Sequence, residues 1–129
     1  MFQYLSEIDQ LKAARCKATS PEHFLNLDNI EEALKVNVAF KLDRIHNIMR
    51  SENNNFSKKD FTNLHYGLDI TDMSCAHIKY VTFYNFKTRL AKGDIKCPNN
   101  LKNLENLCKL YGLYLLNVNA SACFESGFF

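Results

Sequence analysis

The residues best suited to bind a metal ion are Cys75 and His77, which are separated by a single residue. A thiolate and an imidazole are both good zinc ligands, but a structural zinc site needs four ligands, usually as two spaced pairs. No second pair follows in this sequence. His77 also lies at helical spacing from other interior-type residues, so we interpret it as a hydrogen-bonded histidine between helices; these residues are Ile70, Met73, Tyr80 and Tyr84. The sequence therefore predicts no metal site.

The other candidate acids and bases are isolated from one another in the sequence. His23, His46 and His65 are scattered along the chain, and we interpret each as a surface residue rather than a catalytic base. Glu125 follows an aromatic residue that could tune its carboxyl group, but we favour a solvated carboxylate at a helix end. Because a catalytic site needs groups within reach of one another, the sequence predicts no catalytic residue.

Four aromatic residues near the middle of the chain could form a stacking platform for a planar cofactor. Rings at helical spacing are more often core or interface residues, and we favour that interpretation for Tyr80, Phe83, Tyr84 and Phe86. The chain has only four glycines, and it lacks a glycine-rich phosphate-binding loop and a nucleophile motif. The sequence alone therefore leaves any cofactor-binding residue unknown.

The composition is that of an ordinary globular domain. Of the 129 residues, 47% are hydrophobic and 23% are charged, and the net charge is only +2. Because the basic residues form no block, nucleic acid is not an expected partner. No apolar run reaches the ~20 residues of a membrane span, and the N-terminus lacks the pattern of a signal peptide. The five cysteines form no CxxC pair, so we expect reduced thiols that pack as small hydrophobic groups.

Helical periodicity runs along most of the chain, and no stretch alternates convincingly as a strand would. The first helix is predicted over residues 2–17, and the following Ser20 and Pro21 end it. The second is predicted over residues 28–50. Its expected N-cap is Asp28, with Glu31 completing a capping box.

Two further helices follow in the second half. A capping box at residues 57–60 predicts the start of the third, which we expect to run unbroken to just before Gly93, its left-handed C-cap. A fresh start capped by Thr71 and Asp72 is the alternative. Pro98 suits the first turn of the fourth helix. The fold class is therefore predicted to be all-α, a single domain over residues 1–129 built as a bundle of about four helices.

The fourth helix is apolar almost all round between residues 110 and 116. Such a helix must be covered on most sides, so we expect it to be the central packing element. Gly112 in its middle costs about 1 kcal/mol relative to alanine, which indicates a close contact with another helix. Phe128 and Phe129 end the chain. We expect both ends to be cuts through a longer polypeptide; the alternative is a complete small protein whose terminal rings pack on its own surface or a partner's.

Several short motifs, in order along the chain, resemble the C-terminal helical domain of peroxisomal acyl-CoA oxidases. Residues 33–48 resemble the family helix that carries an Ala-Phe-x-x-Arg pattern, and residues 104–113 resemble its leucine-rich stretch with a Leu-Tyr-x-Leu element. Residues 124–127 are similar to the Phe-Leu/Glu-x-Gly element that follows. The family's long helix is similar to the segment holding Ala76, His77, Tyr80, Val81 and Phe86. The resemblance covers residues 27–129.

This resemblance implies an oxidoreductase with bound FAD that converts fatty acyl-CoA and oxygen to trans-2-enoyl-CoA and hydrogen peroxide, in peroxisomal β-oxidation. The family's glutamate base and most of its flavin cleft lie N-terminal to the matched region, so no position here inherits a catalytic or FAD-binding role. The implied partners are the rest of the oxidase chain and a second subunit. The family often ends in a peroxisomal tripeptide, whereas this chain stops at Phe129.

Two functions from different classes follow from these observations. The first is a structural, dimer-packing domain of a flavoenzyme, inactive and without FAD on its own. The alternative is an independent helical interaction module whose apolar ends recruit a partner. A coding sequence that extends in both directions would favour the first, and flanking stop signals would favour the second.

Overall fold

The computed structural model describes residues 3–51 and 66–129, and every regular element within these ranges is helical. The predicted all-α class is therefore confirmed. Two short 3-10 helices and five α-helices follow one another along the described chain. The 3-10 helices are Gln3–Glu7 and Pro21–Leu25, and the α-helices are α1 (Ile8–Ala13), α2 (Leu27–Ser51), α3 (Gly67–Ala91), α4 (Pro98–Val118) and α5 (Ala120–Glu125).

Helix α2 is the centre of the bundle, because α1, α3, α4, α5 and the second 3-10 helix all pack against it. Its first half is buried on nearly every side; the buried apolar residues are Ile30, Ala33, Leu34, Val36, Val38 and Ala39. The prediction that α4 is the central packing element is therefore wrong.

One buried polar residue interrupts this apolar core. Asn37 is 1% exposed, and no described donor reaches its Oδ1 atom. A buried acceptor without a partner costs free energy. The Oδ1 atom of Asn37 is therefore a local cost in an otherwise apolar core.

The N-terminal segment is less helical than the periodicity suggested. Helix α1 ends at Ala13, and Ala14 is already extended at ψ 144°. The extended chain then lets the backbone N–H of Cys16 donate to the carbonyl of Phe128, at 2.6 Å. The predicted helix over residues 2–17 is therefore wrong beyond Ala13, because pairing with the far end of the chain replaces its last turn.

Helix α2 begins one residue earlier than predicted, and its cap is Asn26 rather than Asp28. The Oδ1 atom of Asn26 accepts from the N–H of Asp28 at 2.8 Å, and its carbonyl accepts from the N–H of Ile30. This is the usual arrangement of an N-cap residue. The capping box expected between Asp28 and Glu31 is therefore wrong, and both carboxylates bind Lys87 of α3 instead.

Helix α3 starts at Gly67, after Tyr66 with φ −121° and ψ 10°. The expectation of one unbroken helix through this point is therefore wrong; the break precedes the alternative start at Thr71 and Asp72. The capping box predicted at residues 57–60 lies outside the described residues. The C-terminal prediction is confirmed, because α3 ends at Ala91 and Gly93 has φ +70°.

Helix α4 begins at Pro98, as predicted, and Gly112 makes the predicted close contact. A Cβ added at Gly112 would lie 2.7 Å from Cε2 of Phe83 and 2.9 Å from Cγ2 of Ile30. Glycine thus lets α2 and α3 approach this helix. The buried side is narrow, however, and consists of Cys108, Gly112, Leu115 and Leu116.

The C-terminus is held by hydrogen bonds that end α5. The N–H of Phe128 donates to the carbonyl of Cys123, and the N–H of Gly127 to that of Phe124, each at 3.0 Å. With Gly127 at φ +69°, this is a Schellman motif, in which a left-handed glycine satisfies the last carbonyls of the helix. The motif turns Phe128 into the core, where it is 3% exposed. The terminal rings thus pack on the chain's own surface.

Candidate functional site

His77 joins the N-terminal 3-10 helix to α3. Its Nδ1 atom and the hydroxyl of Tyr4 are 2.5 Å apart, and the two rings stack with centroids at 5.9 Å. Burial raises the pKa of Tyr4 to about 12, so its hydroxyl keeps its proton at neutral pH and can donate it to Nδ1. The interpretation of His77 as a hydrogen-bonded histidine between elements is confirmed.

The remaining sequence candidates are not brought together. In the described ranges, no group of three or more histidine, cysteine or acidic side chains is placed to hold a metal ion. Cys75 is exposed, as are His23 and His46, which confirms the surface interpretation of those two histidines. His65 lies outside the described residues. Glu125 is also exposed, at the C-terminal end of α5, which confirms its interpretation as a solvated carboxylate.

The aromatic stripe of α3 belongs mostly to the core. Phe83 is fully buried, Tyr80 is 4% exposed, and Phe86 packs against the same cluster. Tyr84 stands at the edge, with its ring centroid 6.0 Å from that of Tyr80. The core interpretation is confirmed for Phe83, Tyr80 and Phe86, whereas Tyr84 is exposed.

A half-buried ionic cluster crosses from α2 to α3. The Oε2 atom of Glu31 lies 2.6 Å from the ammonium of Lys87, and its Oε1 atom lies 2.6 Å from that of Lys35. Lys87 also binds Asp28. The side chain of Glu31 is only 11% exposed, so these ammonium groups are its main compensation for lost solvent.

Burial and ion pairing oppose each other in this cluster. Burial is the largest influence on Glu31 and would raise its pKa, but the hydrogen bonds and charges of Lys35 and Lys87 together hold that pKa below its usual value. Burial likewise would lower the pKa of Lys87, yet Asp28 and Glu31 keep it above its usual value. Glu31 and Lys87 are therefore both charged at neutral pH. The cluster therefore joins α3 to the first turn of α2, and both of its carboxylates are paired with ammonium groups.

Helix α4 turns an apolar stripe outward, away from α2. Leu110 is 66% exposed and Tyr114 is 60% exposed. We call these two residues, with Leu107 and Val118 on the same side, the α4 stripe; all four are exposed. The expectation that this helix is covered on most sides is wrong, because the α4 stripe remains about half exposed or more.

An apolar groove adjoins the α4 stripe, with a volume of about 660 Å³. Leu113 and Leu116 of α4 form one side, and Phe24 lies opposite. Phe129 makes edge contacts in the groove with Phe24 and Phe124, with ring centroids at 5.7 and 5.4 Å. Because Leu113 follows Leu110 by one helical turn, the groove and the stripe form a continuous apolar surface.

Large contiguous apolar surfaces on a soluble domain mark sites of interaction. The α4 stripe and the groove are therefore the strongest candidate functional site in the described part of the chain. In the described ranges, no helix is long and apolar enough to cross a membrane.

Comparison with protein families gives a specific assignment. The family model for acyl-CoA oxidase matches residues 26–129. This chain belongs to the acyl-CoA oxidase family. The match begins within one residue of the range that the sequence motifs indicated. Neither the curated proteins nor the solved structures that were searched give a match.

The described residues do not by themselves fit FAD, the cofactor that the family implies. A dinucleotide needs polar donors for its pyrophosphate as well as a slot for its rings. The apolar groove is lined almost entirely by carbon. Five cationic side chains form ion pairs with carboxylates and so already have anionic partners. They are Lys12, Lys35, Lys41, Lys87 and Arg89.

Sequence reasoning missed the α4 stripe as a surface. It identified the continuous apolar run correctly but assumed that the chain itself would cover it. The signal was present in residues 110–116, because a helix that is apolar all round in a small bundle needs more neighbours than a few other helices provide.

Proposed function

We propose that this chain is the C-terminal helical domain of an FAD-dependent acyl-CoA oxidase and that its role there is to pack. The whole enzyme oxidises fatty acyl-CoA to trans-2-enoyl-CoA and passes the electrons to oxygen, which yields hydrogen peroxide. Its location is the peroxisome, in fatty acid β-oxidation. The chain supplies no catalytic residue, and its partners are the remainder of the oxidase and a second subunit.

The observation that carries the proposal is the family match over residues 26–129. The α4 stripe supports the packing role, because Leu110 and Tyr114 expose most of their apolar surface in the isolated chain. Burying such a surface against another protein would contribute roughly 25 cal/mol for each Å² removed from water. The ionic cluster and the buried rings also support a packing role, because their side chains are engaged in contacts between helices.

The proposal is tested with the complete coding sequence in which this chain occurs. We expect its purified product to show a flavin spectrum and to release peroxide from palmitoyl-CoA in a peroxidase-coupled assay. The 129-residue chain alone should be colourless after gel filtration and inactive in the same assay. Stoichiometric flavin on the chain alone would contradict a purely packing role. A coding sequence that holds nothing else would favour the independent interaction module.

A charge placed in the α4 stripe tests the packing role separately. Leu110→Asp should leave the urea midpoint of the isolated chain nearly unchanged, because the side chain is 66% exposed. In the complete enzyme it should lower the mass of the assembly measured by sedimentation, or the flavin content. Asn106→Asp, an exposed residue on the same helix, is the control and should change neither. Equal behaviour of the two variants in the complete enzyme would refute packing through this stripe.

A further inference from the structure

Two of the five cysteines are brought together from opposite ends of the chain. Cys16 follows α1, and its backbone N–H donates to the carbonyl of Phe128 at 2.6 Å. Phe128 in turn donates its own N–H to the carbonyl of Cys123, at 3.0 Å. Phe128 therefore bridges the two cysteine backbones through consecutive hydrogen bonds. Cys16 is half-buried and packs against the cluster of core residues that includes Cys123.

Neither sulfur atom makes a strong hydrogen bond. The Sγ atom of Cys16 accepts from the N–H of Ala18 at 3.4 Å, and that of Cys123 lies 4.0 Å from the carbonyl oxygen of Ala33. Burial raises the pKa of Cys123 to about 11, and the negative charge of a Cys16 thiolate acts in the same direction. The hydrogen bonds through Phe128 are the observation that places the two cysteines beside each other. The more accessible Cys16 is the thiol that an oxidant reaches first.

We propose that Cys16 and Cys123 form a reversible disulfide when the protein meets a hydroperoxide. The Cys16 thiolate attacks one peroxide oxygen, the O–O bond breaks, and Cys16 becomes a sulfenic acid as the first water leaves. The sulfur of Cys123 then attacks the sulfenic sulfur, which forms the S–S bond and releases the second water. Two thiols are oxidised and one hydrogen peroxide is reduced to two waters.

The bond would fasten the segment after α1 to the end of α5, across the contact made by Phe128. Such a link closes a long loop and restricts the unfolded chain. The biological oxidant follows from the proposed function, since an acyl-CoA oxidase makes hydrogen peroxide. The thiol chemistry itself rests only on the placement of Cys16 and Cys123, so added peroxide tests it independently.

The test uses the reduced 129-residue chain, treated with increasing hydrogen peroxide, quenched in acid and alkylated. Trypsin then separates the cysteines completely, because each of the five lies in a different peptide between lysines and arginines. Mass spectrometry should find residues 16–17 linked to residues 110–129, and dithiothreitol should remove the link. The oxidised chain should also have a higher urea midpoint than the reduced one.

Two variants sharpen the result. Cys16→Ser should abolish the linked peptide, whereas Cys108→Ala, which removes another buried thiol, should leave its yield unchanged. A background of Cys75→Ser and Cys97→Ser removes the exposed thiols that could link different molecules. The proposal is overturned if Cys123 is recovered alkylated after peroxide, or if Cys16 is recovered as sulfinic acid or linked to another cysteine.

Discussion

Gly112 offers a direct measure of how tightly the three long helices pack. Replacing it with alanine adds one methyl group, which would lie 2.7 Å from Cε2 of Phe83 and 2.9 Å from Cγ2 of Ile30. Ordinary contacts between carbon atoms are about 3.5–4.0 Å. Phe83 and Ile30 are both 0% exposed, so neither can move aside without disturbing the rest of the core.

Two opposing effects decide the magnitude of the change at Gly112. Alanine is favoured over glycine inside a helix by about 1 kcal/mol. Overpacking a well-filled core costs about 1–3 kcal/mol, and the upper part of that range applies here because both overlaps fall on buried atoms. Gly112→Ala should therefore lower the free energy of unfolding by about 1–2 kcal/mol. With a urea m-value of about 1–3 kcal/mol/M, the midpoint should fall by roughly 0.3–2 M.

The assay is urea unfolding followed by far-ultraviolet circular dichroism. Asn103→Ala, on the exposed side of the same helix, is the control and should leave the midpoint equal or slightly higher. The double variant Gly112→Ala with Phe83→Leu removes the ring atom that the new methyl meets, so it should lose about 1 kcal/mol less than the two single losses combined. A midpoint for Gly112→Ala at or above the parent's, with no coupling to Phe83, would refute the close contact.

Three further predictions use the same unfolding assay. Leu115→Ala should lower the free energy of unfolding by about 2–5 kcal/mol because Leu115 is 2% exposed, whereas Leu110→Ala should change it by no more than about 0.5 kcal/mol. Equal losses would contradict the one-sided burial of α4. Lys87→Met should lower the free energy of unfolding by about 1–2 kcal/mol at pH 7. Folding lowers the pKa of Glu31, so the stabilisation that Glu31 provides is present above its usual pKa near 4.5 and is lost as the pH falls through its folded pKa. The cost of Lys87→Met should therefore shrink at acidic pH. A cost independent of pH would count against that pairing. Asn37→Leu, which removes an unpartnered buried acceptor at similar volume, should be neutral or stabilising by about 1 kcal/mol, and a large loss would show that the amide has a partner.

Local chemistry explains which parts of the fold were predictable. Pro98 starts α4 and Gly93 follows the end of α3, because each residue's backbone preference acts within one turn of the chain. Gly112 was also identified, since a glycine inside an apolar helix has few explanations other than close packing. The all-α class followed from helical periodicity repeated along the chain.

The predictions that were wrong concern features set by contacts between residues far apart in the sequence. Asp28 was expected to cap α2, but Asn26 has the same capping chemistry two positions earlier, and Lys87 of α3 binds Asp28 instead. No local pattern could choose between the two caps. Similarly, α1 ends early because the backbone at Cys16 pairs with Phe128, from the other end of the chain.

The role of α4 was misjudged for a different physical reason. Hydrophobic periodicity shows which side chains avoid water, but it does not show whether the covering surface belongs to the same chain. Helices α2 and α4 have similar numbers of apolar positions, twelve and eleven. Ile30, Leu34 and Val38 of α2 are almost completely buried, because neighbouring helices surround them. Leu110 of α4 remains exposed although it is as hydrophobic as Leu34. The excess of apolar surface on α4 over what the bundle covers is therefore the feature that argues for a role in a larger enzyme, and the charge introduced by Leu110→Asp is the perturbation to which that role should be most sensitive.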